Sequence, residues 1–169
     1  MTYDEAIHGA IDHYLSRCGA LLAILGTRPD AAALLSTRLA PDAFTTGDHL
    51  AIAIRFAGRA VGPPNGLDVP DIPEGADLAA LETYRGRIAG LIAGRRVDPM
   101  GPPVAHRAGE AELAQPPAEY VARFALPNLL FHMAMAYAAL RVAGLPVGKA
   151  DFDGLHEYPP PMSPDVARS

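Results

Sequence analysis

Two histidines stand among apolar neighbours in this chain, each at helical spacing. His132 lies inside LPNLLFHMAMAYAALRVAG (126–144), where Leu or Met would fill the space without needing a hydrogen-bond partner. At about 100° per residue, Asn128, Met135, Ala136 and Ala139 share its helix face, and small or polar neighbours at three of these four positions leave room beside the imidazole. His49 leads the face of Ile52, Ala53 and Phe56, so it also points inward, although a first-turn position allows it to stand half exposed. Inward histidines on two helices, with Asn128 one turn from one and Asp48 beside the other, fit the side-chain sites that bundles build in their cores. The plain alternative is a core histidine whose ring nitrogens find a carbonyl and a hydroxyl. Three readings therefore stand together: a structural histidine, a polar pocket of Asn128, His132, Met135 and Tyr137, or a metal held by His49 and His132.

The other reactive side chains offer less. Cys18 falls on the apolar stripe of a predicted helix and reads as a buried structural thiol. His8 and His13 are five apart, which turns them well away from each other on a helix, so they read as surface or flank residues. His106 sits in a loop beside Arg107, and His156 in the tail. Asp151 and Asp153 of KADFDG suit turn chemistry better than a catalytic dyad. There is no HExxH, GxSxG, Gly-rich phosphate loop or EF-hand pattern, so the standard hydrolase, kinase and dinucleotide motifs are absent.

Four long helices must position these residues. Tyr3, Ile7, Ala10, Tyr14, Cys18, Leu21 and Leu25 make one apolar stripe over residues 3–25, ended by Gly26 and Pro29. Residues 30–44 suggest a short helix and a turn at Pro41 and Asp42. Thr45, Thr46 and Asp48 offer N-cap oxygens for a second long helix at about 46–61. A Gly-, Pro- and Asp-rich loop follows, then a third long helix near 75–94 with Leu78, Leu81, Tyr84, Ile88, Leu91 and Ile92 inward. Five prolines break the pattern over 97–117, where 104–107 and 110–114 can pair around Ala108 and Gly109 as a small hairpin. The last helix starts near Pro117 and runs to 140–142, with a kink predicted at Pro127. Its tail, LHEYPPPMSPDVARS, lacks periodicity and reads as disordered or draped over a neighbour.

At 169 residues the chain suits one domain, with 1–154 as a helical bundle and 155–169 as a Pro-rich tail. The fold class is all-α, a four-helix bundle with a short extra helix and a small hairpin before the last helix. Net charge is −5, Lys149 is the only lysine and the arginines are scattered, which argues against nucleic acid as a partner. The longest apolar run is interrupted by Asn128 and His132, so no membrane span is expected. The N-terminus carries acids and histidine before any apolar run, unlike a secretory signal, and a cytoplasmic location is the default. A single cysteine excludes an intrachain disulfide and a Cys-based zinc site.

The segments STRLAPDAF (36–44) and FALPNLLFHMAMAYAALRVAGLPVGKADFDG (124–154) resemble the signature pieces of an uncharacterised domain-of-unknown-function family. That family is grouped with the DinB-like (DinB/YfiT-like) four-helix bundles, and the resemblance covers about residues 1–154. It implies an up-down-down-up bundle, a homodimer, and a divalent metal (zinc, nickel or manganese) held by one histidine on the second helix and a His-x-x-x-His pair on the fourth. It also implies chemistry in which the metal activates a small thiol for transfer or isomerisation. His49 matches the second-helix ligand and His132 one member of the pair. The other member falls on Asn128 or Ala136, and an amide oxygen is a poor substitute for imidazole.

The leading expectation is a bundle with a polar pocket around His132 for a small ligand or a loosely held metal. The alternatives are a divalent-metal-dependent thiol transferase or isomerase, and a non-catalytic dimeric interaction protein whose exposed apolar faces meet.

Overall fold

A computed structural model describes residues 2–75 and 77–158. Four long helices dominate it: α1 (Tyr3–Gly26), α3 (Thr46–Val61), α4 (Leu78–Ile92) and α6 (Leu126–Val142). Between them lie α2 (Ala31–Ser36), a 3₁₀ turn (Pro63–Asn65), the strands β1 (Val104–Ala108) and β2 (Ala111–Gln115), and α5 (Pro117–Tyr120); α7 (Lys149–Asp153) follows α6. None of the described helices is long and apolar enough to cross a membrane.

Helix α3 is the centre of the packing and touches α1, α4 and α6. Twelve of its sixteen residues are buried, including Leu50, Ile54, Phe56 and Val61. Small residues let its neighbours come close. A Cβ on Gly58 would stand 2.9 Å from Val69 Cγ1 and 3.0 Å from Ile88 Cδ1. The helix starts with a capping box, in which Thr45 Oγ1 accepts from the Asp48 amide while Asp48 Oδ2 accepts from the Thr45 amide. In α4 the predicted Leu81, Tyr84, Ile88 and Ile92 are all buried. The buried stripe of α1 runs through Ile11, Leu15, Cys18, Leu22 and Leu25, slightly rotated from the predicted one, leaving Ile7 and Tyr14 at its edge.

Several boundaries differ from the sequence expectations. Helix α2 stops at Ser36; Arg38 and Thr45 then form an isolated antiparallel bridge that folds residues 37–45 into a compact loop. Helix α4 begins at Leu78, because Asp77 caps it through the Ala80 amide. The hairpin forms in the register Val104↔Gln115 to Ala108↔Ala111, so its turn residues are Gly109 and Glu110. Gly109 has φ +60° and Glu110 does not have positive φ, the pattern of a II′ turn with glycine first.

Pro127 does not break the last helix. The strain is taken up one turn earlier, where residues Val121–Ala125 wind as a π-helix and the Leu126 amide reaches back to the Val121 carbonyl. Pro127 then sits in the first turn of α6, where its missing N–H costs little. The tail expectation falls mostly on residues 159–169, which lie outside the described residues.

Candidate functional site

The capping box of α3 puts His49 in the helix's first full turn, facing α6. The register that follows the π-helical turn brings His132 opposite it. Their Nδ1 atoms are 2.9 Å apart, and both side chains are buried, His49 at 3 % and His132 at 9 % exposure. His49 is therefore not half exposed. Three phenylalanines surround the pair. Phe56 stacks on the His132 ring at 6.1 Å and 13°, Phe44 meets the His49 ring edge-on at 5.7 Å, and Phe131 meets His132 edge-on at 5.1 Å. Phe44 and Phe131 are themselves more than half exposed, so the pair lies at the floor of an apolar rim.

Electrostatics keep both rings neutral. Burial, and then the charge a protonated His49 would carry alongside, push His132 down to about 4. Burial also lowers His49, against the opposing pull of Asp48. The Asp48 carboxyl sits below its ordinary range. Its burial works the other way, but the Thr45 hydroxyl and amide, then the charges of Arg38 and His49, outweigh it.

Two neutral imidazoles sharing an Nδ1···Nδ1 contact must differ in tautomer: one Nδ1 donates and the other accepts. Nε2 of His49 is buried with no partner among the described residues. A stranded lone pair is easier to bury than a stranded N–H. His49 is therefore assigned as the Nδ1–H donor, which leaves His132 with its proton on Nε2. That Nε2 makes no bond among the described residues and, unlike the one on His49, is not sealed from solvent.

The remaining predicted site residues go elsewhere. Asn128 donates from Nδ2 to the Phe124 carbonyl at 2.8 Å, repairing the backbone beside the π-helical turn. The Tyr137 hydroxyl is 3.5 Å from the Val147 carbonyl, and its ring packs on Phe152 of α7. Met135 is half-buried. Thus His49 and His132 meet, while Asn128 and Tyr137 serve the backbone and α7.

The metal set that the resemblance implies can be tested on these donors. Two imidazole nitrogens bound to one tetrahedral zinc stand about 3.3 Å apart for Zn–N near 2.05 Å, so the pair would need to open only slightly. The third histidine is missing, Asn128 is occupied, and no group of three His, Cys, Asp or Glu able to hold a metal exists among the described residues. A three-histidine centre does not fit.

Other assignments are settled by burial. Cys18 is fully buried and its thiol is pushed up to about 12, chiefly by that burial, so it is inert. His8 is buried at 3 %, correcting the surface reading, because helix α1 turns that residue toward its neighbours. His13 donates from Nε2 to the Asp153 carbonyl at 2.6 Å, so it too is structural. His106 is on a strand rather than a loop, with its ring 4.2 Å from Phe124 and Nε2 bonded to Gln115 Oε1. Asp151 and Asp153 do cap turns: Asp151 accepts from the Gly148 amide, and Asp153 from the amides of Leu155 and His156. His156 pairs with Asp153 through its ring. The aromatic rim was missed in the sequence, although Phe131 adjoins His132 and Phe56 lies two turns after His49.

Comparisons with known proteins agree with this architecture. A crystal structure of a DinB family member protein from Shewanella denitrificans is similar at a TM-score of 0.73, with 24 % identity over 93 % of this chain and 97 % of that one. No curated protein matches the chain. The model of the Domain of unknown function DUF1993 matches residues 3–153, a span holding both histidines, the hairpin and α7. This chain belongs to the DUF1993 family, an uncharacterised family with a DinB-like fold.

Proposed function

We propose that the His49–His132 pair is a small-ligand site at one end of a four-helix bundle of up-down-down-up order formed by residues 1–154. The ligand has a hydrogen-bond acceptor joined to an apolar or aromatic body. Its acceptor meets the Nε2–H of His132, and its body lies between Phe44 and Phe131. The observation that carries this reading is a buried neutral histidine with one nitrogen fixed by a second histidine and the other unbonded beneath exposed aromatic rings. A residue held only for packing would not need that pairing.

A second reading is favoured by the 2.9 Å approach of the two Nδ1 atoms. Both rings are neutral donors at pH 7, and a divalent zinc, nickel or manganese ion could enter between them, with water completing its shell. The thiol transferase or isomerase that the resemblance implies depends on a third ligand that the described residues do not supply, and two imidazoles alone do not rebuild that centre.

Ligand-observed NMR with benzamide and acetophenone, neutral aromatic acceptors, and thermal-shift titration with Zn²⁺, Ni²⁺ and Mn²⁺, separate the readings. For the small-ligand site, the aromatic probes should bind the wild type and fail with His132→Phe. A metal site should instead give a metal-dependent rise in melting temperature that both His49→Phe and His132→Phe abolish. Probes that bind His132→Phe as well as wild type, together with no metal response, would exclude both.

A further inference from the structure

Away from the histidine pair, helix α3 lines a second and quite different space. A cavity of about 780 Å³ opens between α3, the loop after it and β1, and its walls carry three arginines and two aspartates. Arg55 and Arg59 come from successive turns of α3, Arg107 from the hairpin, and Asp68 and Asp71 from the loop. The walls thus carry one net positive charge.

Arg59 sets the character of the space. Its guanidinium carbon lies 5.0 Å from the ring centroids of both Phe56 and Phe124, so two aromatic faces hold it in place. It makes no ion pair with a carboxylate among the described residues. Stacking of this kind fixes a guanidinium without using its in-plane donors. One side of Arg59 faces the buried Tyr120 hydroxyl, whose proton burial holds in place and the cation makes easier to lose. The remaining donors are left for a planar or tetrahedral oxyanion. Beside it, Arg55 Nε is buried without an acceptor among the described residues. Leaving a charged group's donor unpaired is costly unless something supplies the missing acceptor.

The acids present do not supply it. Asp71 bonds Arg55 through Nη2 at 2.9 Å, but its side chain is 91 % exposed. A pair open to water at that level contributes little and is easily exchanged. Arg107 pairs with Glu110, whose side chain is fully exposed. Both pairs can yield to an incoming anion.

We infer that this arginine-lined cavity binds the carboxylate or phosphate group of a small anionic ligand, with Arg59 as the preset clamp and Arg55 and Arg107 closing on it. The site is independent of the histidine pair: the two share the Phe56 ring but no donor.

The test is titration calorimetry of the full chain with inorganic phosphate and, separately, succinate, at ionic strength held constant with sodium chloride. Saturable binding of one of them is expected, and the stronger arm identifies the phosphate or the carboxylate as the preferred group. Arg59→Gln and Arg55→Gln should each weaken it about tenfold or more, the loss of a charge-assisted hydrogen-bond pair. Arg107→Gln, at an exposed position that cannot disturb the core, should weaken it several-fold without changing the melting temperature. Asp71→Asn, which frees Arg55, should tighten it. His132→Phe should leave it unchanged, so failure here and failure of the histidine site are separable. No saturable binding of either probe, or equal binding by wild type and Arg107→Gln with no gain from Asp71→Asn, would overturn the inference.

Discussion

Protonating His132 would place a charge in an aromatic floor beside a second imidazole, and the folded state resists it. An unfolded histidine titrates near 6.5, whereas His132 in the fold is pushed down to about 4, by burial first and by His49 second. Its contribution to stability is therefore complete above about pH 6.5. As the pH falls from there to about 4, the unfolded chain takes up a proton that the folded chain refuses, and stability drops by on the order of 2–3 kcal/mol. His49 shifts in the same direction and adds to the slope. Urea midpoints measured at about pH 7 and about pH 4.5 should show a larger drop for wild type than for His132→Phe. Equal drops would mean that His132 titrates as an exposed histidine does, and the neutral pair would have to be abandoned.

Among the elements, α3 carries both sites, with His49 in its first turns and Arg55 and Arg59 further along. Its start depends on one short-range device, the reciprocal bonding of Thr45 and Asp48. Thr45→Ala removes the hydroxyl that accepts from the Asp48 amide, and should cost about 1–2 kcal/mol in chemical denaturation. Because His49 follows this cap directly, the same change should broaden or shift the His49 and His132 ring resonances. Loss of stability with unmoved rings would show that α6 alone holds the pair. Just before α6, the π-helical turn Val121–Ala125 sets which face of that helix meets α3. A wider turn rotates everything after it together, so Asn128 and His132 keep the helical spacing the sequence gives them while α6 as a whole turns relative to the residues before it. Asn128 is used within four residues, on the Phe124 carbonyl.

At the scale of the molecule, the two segments that carry the family resemblance meet in space. Residues 36–44 form the loop that lays Phe44 against His49, and residues 124–154 supply His132, Phe131 and α7. Helix α7 is fastened to α1 by Arg17, whose Nη2 and Nε donate to the Asp151 carbonyl at 2.6 and 3.2 Å, and by His13 on Asp153. Arg17→Leu should cost about 1.5–3 kcal/mol, the range for bonds from a charged donor. Hydrogen exchange should rise over residues 149–153 while α3 and α6 keep their protection. A uniform rise across the chain would mean that α7 is part of the cooperative core rather than a clasp on it.

Local chemistry along the chain determined most of the architecture. Apolar spacing marked the four long helices, Thr45 with Asp48 marked the start of α3, Gly109 marked the hairpin, and the Asp151 and Asp153 caps were readable because each acts on backbone within a few residues. The sequence alone also identified His49 and His132 as the inward histidines. Only the tertiary structure decided that they touch, that His8 is buried, that Asn128 repairs a backbone turn, and that Arg55, Arg59 and Arg107 share one cavity. The reason is range. Capping and periodicity act over a few residues and leave their mark in adjacent letters. The contact of two rings 83 positions apart depends on helix register and crossing, which the whole packed core sets together.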